Sequence, residues 1–347
     1  MAYISFQPKD YFNTVQWTGN ASTNAITGVG FRPDWVWGKS HTSGYSHQLY
    51  DAVRGATEVI RTNGTNSETL STGLTSFDSD GFTLGSNTNI NASGHTVTGW
   101  NWKANGSGSS NTDGTITTTY TSASATSGFS VCQYTGTGAN ATVGHGMGVA
   151  PKMVIVKQTN TTRDWAVYHK YSNPDGTGSQ YYLHLNNSDP RASNSAFWNN
   201  TDPTSSVFHL GSNHNVNGSG GTYIAYCFAD IQGYSKFGSY TGNGNADGAF
   251  IYTGFKPAFV IIKGSSNTEN WHMYDNKRDT FNPTDQALQP NTSSAEFTET
   301  NVLDFLSNGF KLRVTGGGHN GSGVSYIYMA FAEAPLVSSN GVPAVAR

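Results

Sequence analysis

Two short segments place an acid and an arginine three residues apart, Tyr50-Asp51-Ala52-Val53-Arg54 and Tyr274-Asp275-Asn276-Lys277-Arg278. Paired carboxylates can carry general acid–base hydrolysis, and Phe77-Asp78-Ser79-Asp80-Gly81 adds two whose oxygens suit calcium. Plainer readings outweigh both. Asp-x-Asp-Gly closes Asx-type turns without any metal, and a related segment carries Asn308-Gly309 at this place. The two Asp–Arg pairs read as local charge pairs of modest worth.

Histidines 145, 169, 184, 209 and 214 crowd one stretch, yet their spacing builds no metal or catalytic pattern, and His209 reads as solvent-facing. No His-Glu-x-x-His, no Gly-x-Ser-x-Gly elbow and no phosphate-cradling loop occurs. Cys132 and Cys227 read as buried free thiols, with a disulfide open if their strands adjoin, and no Cys/His spacing for zinc is present. Trp35, Trp37, Trp100 and Trp102 read as core or inter-sheet residues. Trp198 is the best guess for an exposed aromatic that could hold a sugar, against a competing core reading. No catalytic residue, cofactor site or metal site is expected.

The elements that position these residues form a threefold repeat. Pro33-Asp34-Trp35-Val36-Trp37-Gly38-Lys39 returns as Pro151 to Lys157 and Pro257 to Lys263, each a run apolar on both strand faces, as in a strand sandwiched between two layers. Seventeen residues after each proline stands a tyrosine, Tyr50, Tyr168 or Tyr274, preceded three places earlier by His47, Trp165 or Trp271. Three Asn-x-Ser-Gly turns, beginning at Asn91, Asn217 and Asn320, introduce strands that reach Trp102, Phe228 and Phe331. Phrases that keep their order and nearly their spacing in three copies indicate tandem duplication.

The expected fold is all-β, three tandem antiparallel β-sandwich domains of about 100 residues each. An N-terminal docking arm (1–12) precedes the first repeat (13–104), a Gly/Ser/Thr-rich linker follows (105–127), then the second repeat (128–231), the third (232–335) and a C-terminal tail (336–347). The long linker implies slack for the first repeat, whereas the short second junction packs repeats two and three together. Part of the linker, 115–121, has the composition of an edge strand.

Charged residues make up 12% of the chain, about half the usual share, and the formal net charge is −3. Such a neutral surface lacks the field that nucleic-acid binding needs. The N-terminus shows neither a basic nor an apolar leader region, so no secretory signal is expected, and no membrane span is expected because no run of about 18 apolar residues occurs.

Several longer phrases carry a resemblance: Phe6-Gln7-Pro8-Lys9-Asp10-Tyr11-Phe12-Asn13-Thr14, Gly30-Phe31-Arg32-Pro33-Asp34, Asp51 to Thr57, Ser76 to Phe82, Trp100-Asn101-Trp102-Lys103-Ala104, Gly146 to Lys152 and Tyr328 to Pro335. Together they span the chain, which resembles a family of poorly characterised virion proteins, associated with tails or fibres, from tailed bacteriophages of marine bacteria. The resemblance implies a virion protein and carries no residue-level site. The expected function is a non-enzymatic structural protein, a tail fibre or adhesin-like appendage contacting the host surface, or alternatively a capsid decoration or head-fibre protein stabilising the shell. Expected partners are other virion proteins, through the N-terminal arm, and host surface glycan; a homotrimer is favoured. Such a protein is made in the host cytoplasm and assembled on the particle.

Overall fold

The computed structural model of the chain describes residues 6–334, 336–337 and 343–344. The first five residues of the expected arm and the rest of the tail lie outside them. The chain is all-β, with only single-turn helices between strands. Each proline-led run forms an interior strand, Trp35–Ser40, Met153–Gln158 and Pro257–Gly264, and its two apolar faces enter different cores. Trp35 and Trp37, Met153 and Ile155, and Phe259 and Ile261 all enter one shared cluster. The alternate residues Val36, Val154 with Val156, and Val260 with Ile262 enter three separate ones. A two-residue side-chain period makes this division possible.

Around these strands the same antiparallel order recurs three times. In the first large sheet it runs Phe12–Thr18, Thr96–Trp102, Trp35–Ser40, Gln48–Asp51. In the second it runs Phe129–Thr135, Thr222–Phe228, Met153–Gln158, Ala166–His169. In the third it runs Ser235–Thr241, Ser325–Ala332, Pro257–Gly264, Trp271–Asp275. A smaller antiparallel sheet covers one face of each, containing Gly81–Leu84, Val207–Leu210 or Gly309–Leu312. The three Asn-x-Ser-Gly turns pin the two layers together. Asn91, Asn217 and Asn320 are fully buried, and the Asn320 amide nitrogen donates to Asn245 O and Val314 O at 2.8 Å each.

The other faces of the three large sheets close on one another. Trp102, Phe228 and Phe331, equivalent by the repeat, meet with ring centroids 6.4, 5.5 and 6.2 Å apart, and Trp35 stacks on Tyr226 at 4.6 Å. Full burial of each large apolar side chain stabilises by about 1.5–3 kcal/mol, and a ring pair adds about 0.5–1.5 kcal/mol. The three sequence repeats therefore share one core in addition to the separate core of each.

Hydrogen bonds from the equivalent residues Trp165, Trp271 and His47 run around this closure in one cyclic sense. Trp165 Nε1 donates to Arg61 O at 3.0 Å, Trp271 Nε1 to His184 O at 2.9 Å, and His47 Nε2 to Gln289 O at 3.1 Å. His47 thus does the work of the two tryptophans, and Trp37 Nε1 donates to its Nδ1 and sets the tautomer. Backbone bonds cross the same junctions in the opposite sense: Glu68 N to Thr159 O, Arg191 N to Ser265 O and Glu296 N to His41 O. The lysines that end the proline-led strands are buried too. Lys157 Nζ reaches Thr65 O and Lys263 Nζ reaches Ser188 O, and burial lowers Lys39, Lys157 and Lys263 to about 8 each.

The Asp–Arg pairs are not the modest surface pairs that their spacing suggests. Arg54 Nε donates to Asp51 Oδ2 at 2.6 Å with both side chains at most 1% exposed, and Tyr226 Oη from the second sheet donates to the same oxygen at 2.7 Å. Arg278 and Asp275 repeat the geometry at 2.6 Å, with Trp100 Nε1 of the first sheet donating at 3.2 Å. Glu68 and Glu296 each accept from the outer guanidinium nitrogen at 2.8 Å. At the third junction His169 replaces the acid and donates to Tyr328 O at 3.2 Å.

The first repeat has no slack. The stretch 105–127 lies along both sheets of the second repeat: Tyr120–Ser124 pairs with Phe129–Thr135 of the large sheet, and buried Ile116 donates its N–H to Thr142 O of the small one. The described start of the arm also lies on the body, with Phe6 edge-on to Tyr11 and Tyr234 at 4.9 and 5.3 Å.

Arg54→Met should destabilise the fold by about 3–5 kcal/mol in urea unfolding, because it strands a buried carboxylate. A loss below about 1 kcal/mol, the worth of an exposed pair, would show that the junction does not depend on it. Burial lowers His169 from 6.5 to about 4. Between those values the unfolded chain takes up a proton that the native chain refuses, so stability falls as pH drops from about 6.5 toward 4. His169→Gln should reduce the difference between urea midpoints at neutral and mildly acidic pH; an unchanged difference would remove His169 from the account.

Candidate metal centre

Three ligand-bearing side chains converge in the third repeat: His272, Glu299 and His319, with one potential ligand atom from each lying within 4.8 Å of the others. His272 sits on Trp271–Asp275 of the large sheet, directly after the tryptophan that crosses to the second repeat. Glu299 sits on Phe297–Leu306 of the small sheet. His319 precedes Asn320, the turn asparagine that pins the layers, and Tyr240 Oη holds its carbonyl at 2.7 Å. The cluster therefore spans both layers and the turn that joins them.

The Nε2 atoms of His272 and His319 lie 3.6 and 3.4 Å from Glu299 Oε1 and Oε2, and the imidazole centroids are 4.2 Å apart. Tyr274 Oη donates to Glu299 Oε2 at 2.5 Å and stands 2.8 Å from His319 Nε2. The repeat explains this tyrosine: Tyr168 Oη donates to Asp202 at 3.0 Å, and Tyr50 Oη shares a hydrogen bond with Ser71 at 3.3 Å. Both histidines are at most 4% exposed. Burial lowers His272 to about 4, with Lys263 acting in the same direction, and holds His319 well below the usual imidazole range with His272 adding to it. Burial raises the Glu299 carboxyl, opposed by the Tyr274 hydroxyl. Two imidazoles thus face the Glu299 carboxyl group on the wall of a pocket of about 330 Å³, whose lining also includes Glu269, Gly316 and Gly318. Neutral imidazole and carboxylate are the donors that zinc and its neighbours accept.

The residues singled out from sequence lie elsewhere. Trp198 is 2% exposed and presents no face to solvent. Asn194 caps the single-turn helix Ser195–Trp198, which turns Trp198 onto Tyr168 at 5.9 Å inside the core of the second repeat. The exposed-aromatic reading of Trp198 is therefore corrected. The five histidines of the second repeat do not gather: His145 bonds Thr204 O, His169 bonds Tyr328 O and His184 faces Asn187. His209 is half-buried. Cys132 and Cys227 are both buried and free on adjacent strands. Asp78 accepts the hydroxyls of Ser76 and Thr83 within its own hairpin, whereas Asp80 accepts the N–H groups of Gly28 and Gly30 and ties the turn to that loop.

The two histidines, though not Glu299, stand out against the sister copies. His272 follows Trp271 where Ala166 follows Trp165 and Gln48 follows His47, and His319 precedes Asn320 where Val216 and Ile90 precede Asn217 and Asn91. Two histidines at positions with other side chains in the sister copies were a visible signal, but 47 residues separate them in the sequence.

No helix among the described residues is long and apolar enough to cross a membrane. No curated protein and no solved structure matches the chain. Residues 7–335 match the family described as Domain of unknown function (DUF7483), and with nearly its whole length inside that match the chain belongs to this family.

Proposed function

We propose that the protein is a non-enzymatic structural component of a bacteriophage virion, a tail fibre or adhesin-like appendage that meets the host surface. The observation that supports this reading is the closure of three sheets on one buried aromatic core, with cross-repeat hydrogen bonds at every junction. Such a body is rigid and presents its three smaller sheets outward. Its low charge, and the resemblance of its longer phrases to virion proteins, agree with a role in assembly and surface contact. Homotrimer formation and attachment to other virion proteins through the N-terminal arm belong to the same proposal, as do synthesis in the host cytoplasm and assembly on the particle.

Host glycan is the surface partner that fits this reading. With Trp198 buried, the aromatic face falls instead to Phe250 and Tyr252, 47% and 63% exposed, which flank buried Ile251 on one strand and so share its outward side. The second reading, a capsid decoration or head-fibre protein, draws support from the packing of Phe6 on Tyr234, which starts the arm from the body rather than from a free segment.

Antibody labelling of intact particles under the electron microscope tests the proposal. Label at the distal tail is the expected result, and Phe250→Ala/Tyr252→Ala should then weaken binding to host envelope polysaccharide about tenfold or more, as loss of stacked rings would. Label over the head would transfer the assignment to the decoration reading. Absence of the protein from purified particles would overturn both.

A further inference from the structure

We propose that His272, Glu299 and His319 bind one divalent transition-metal cation of the zinc class, which ties together the large sheet, the small sheet and the turn of the third repeat. The separations carry this inference. Ligands about 2.0–2.2 Å from a tetrahedral zinc stand about 3.3–3.6 Å from one another. Glu299 Oε1 stands 3.6 Å from His272 Nε2 and Oε2 3.4 Å from His319 Nε2, and one ligand atom from each residue lies within 4.8 Å of the others, so a cation held by the two imidazoles and either oxygen needs only a small closing movement of the side chains. Two of the three converging ligand side chains are imidazoles, with Glu269 on the pocket wall beyond them, so this is an imidazole-rich set rather than the all-oxygen shell that calcium or magnesium would take.

The sister copies show that packing alone does not require these side chains. Alanine with valine, or glutamine with isoleucine, occupies the two histidine places in the same strand and turn. In the first copy Ile90 fills the space against Gly38, as an ordinary core residue does. Only the third copy has exchanged both for nitrogen ligands and set a carboxylate against them.

The surroundings are those of a supported site. Tyr274 Oη donates to Glu299 at 2.5 Å and orients the carboxylate, the role that outer hydrogen bonds play around metal ligands. A Cβ at Gly318 would lie 3.0 Å from His272 Cε1, so the glycine lets that ring sit against the turn. Coordination through His319 Nε2 would place its proton on Nδ1 and leave the Tyr274 hydroxyl wholly to Glu299. Three protein ligands leave a fourth position toward the pocket, where water or an oxygen of a bound molecule would complete the shell.

The full chain, dialysed against zinc and then against metal-free buffer, should retain one zinc per chain by elemental analysis and should melt several degrees higher than the metal-free protein. His272→Ala/His319→Val, which copies the second repeat, should retain none and lose the zinc-dependent rise while its metal-free melting stays near that of the parent. Cobalt(II) added to the unaltered chain gives a reading independent of any variant: intense visible bands of tetrahedral coordination are expected. Negligible zinc retention, equal retention by the double variant, or a cobalt spectrum no stronger than that of the aqueous ion would each overturn the proposal.

Discussion

Trp102, Phe228 and Phe331 stand in mutual contact where the three large sheets meet, and most of the architecture follows from enclosing them. A sheet face carrying tryptophan and phenylalanine cannot be left to solvent. Covering it with an equivalent face from a sister repeat satisfies all three at once. The closure then demands that every polar group at the junctions find a partner, because water is excluded there. The Trp165 and Trp271 indoles, the His47 imidazole, Lys157, Lys263 and the Asp–Arg pairs meet that demand across the junctions, whereas the Trp35 and Trp102 indole nitrogens and the Tyr234 hydroxyl are buried without a partner among the described residues. Hydrophobic burial supplies the larger energy, and the hydrogen bonds fix which residue faces which.

Departures from threefold equivalence mark where the three repeats differ in chemistry. Two junctions use a buried ion pair and the third a neutral histidine, so the three contacts respond differently to pH although their backbone paths agree. The His272–Glu299–His319 cluster is the sharper departure. It lies away from the shared core, between the layers of a single repeat, in a place that the sister copies fill without histidine. The fold holds three such places, and the side chains in one of them differ while the closure is the same.

Much of the local structure was legible in the repeated phrases. Runs apolar on both faces announced strands buried on both sides, and Trp35–Ser40, Met153–Gln158 and Pro257–Gly264 occupy interior positions in their sheets. The turn asparagines marked a fixed point in each copy, and the tryptophans of the first repeat read as inter-sheet residues, which they are. Trp198 was harder to read because a lone aromatic outside the register has the same sequence signature whether its one-turn helix folds inward or outward. The Asp–Arg pairs were undervalued because spacing shows that two charges are neighbours but not whether solvent reaches them.

The amino-acid sequence by itself determined the threefold repetition, the all-β class and the two-sided burial of the proline-led strands, since these depend on residue type and on a period of two along the backbone. Only the tertiary structure decided that the repeats share a core, that the stretch 105–127 is bound to a sheet, and that His272 and His319 meet Glu299. Those outcomes depend on distances between segments far apart in the chain. Such distances are set by the simultaneous packing of three sheets, which no local pattern specifies.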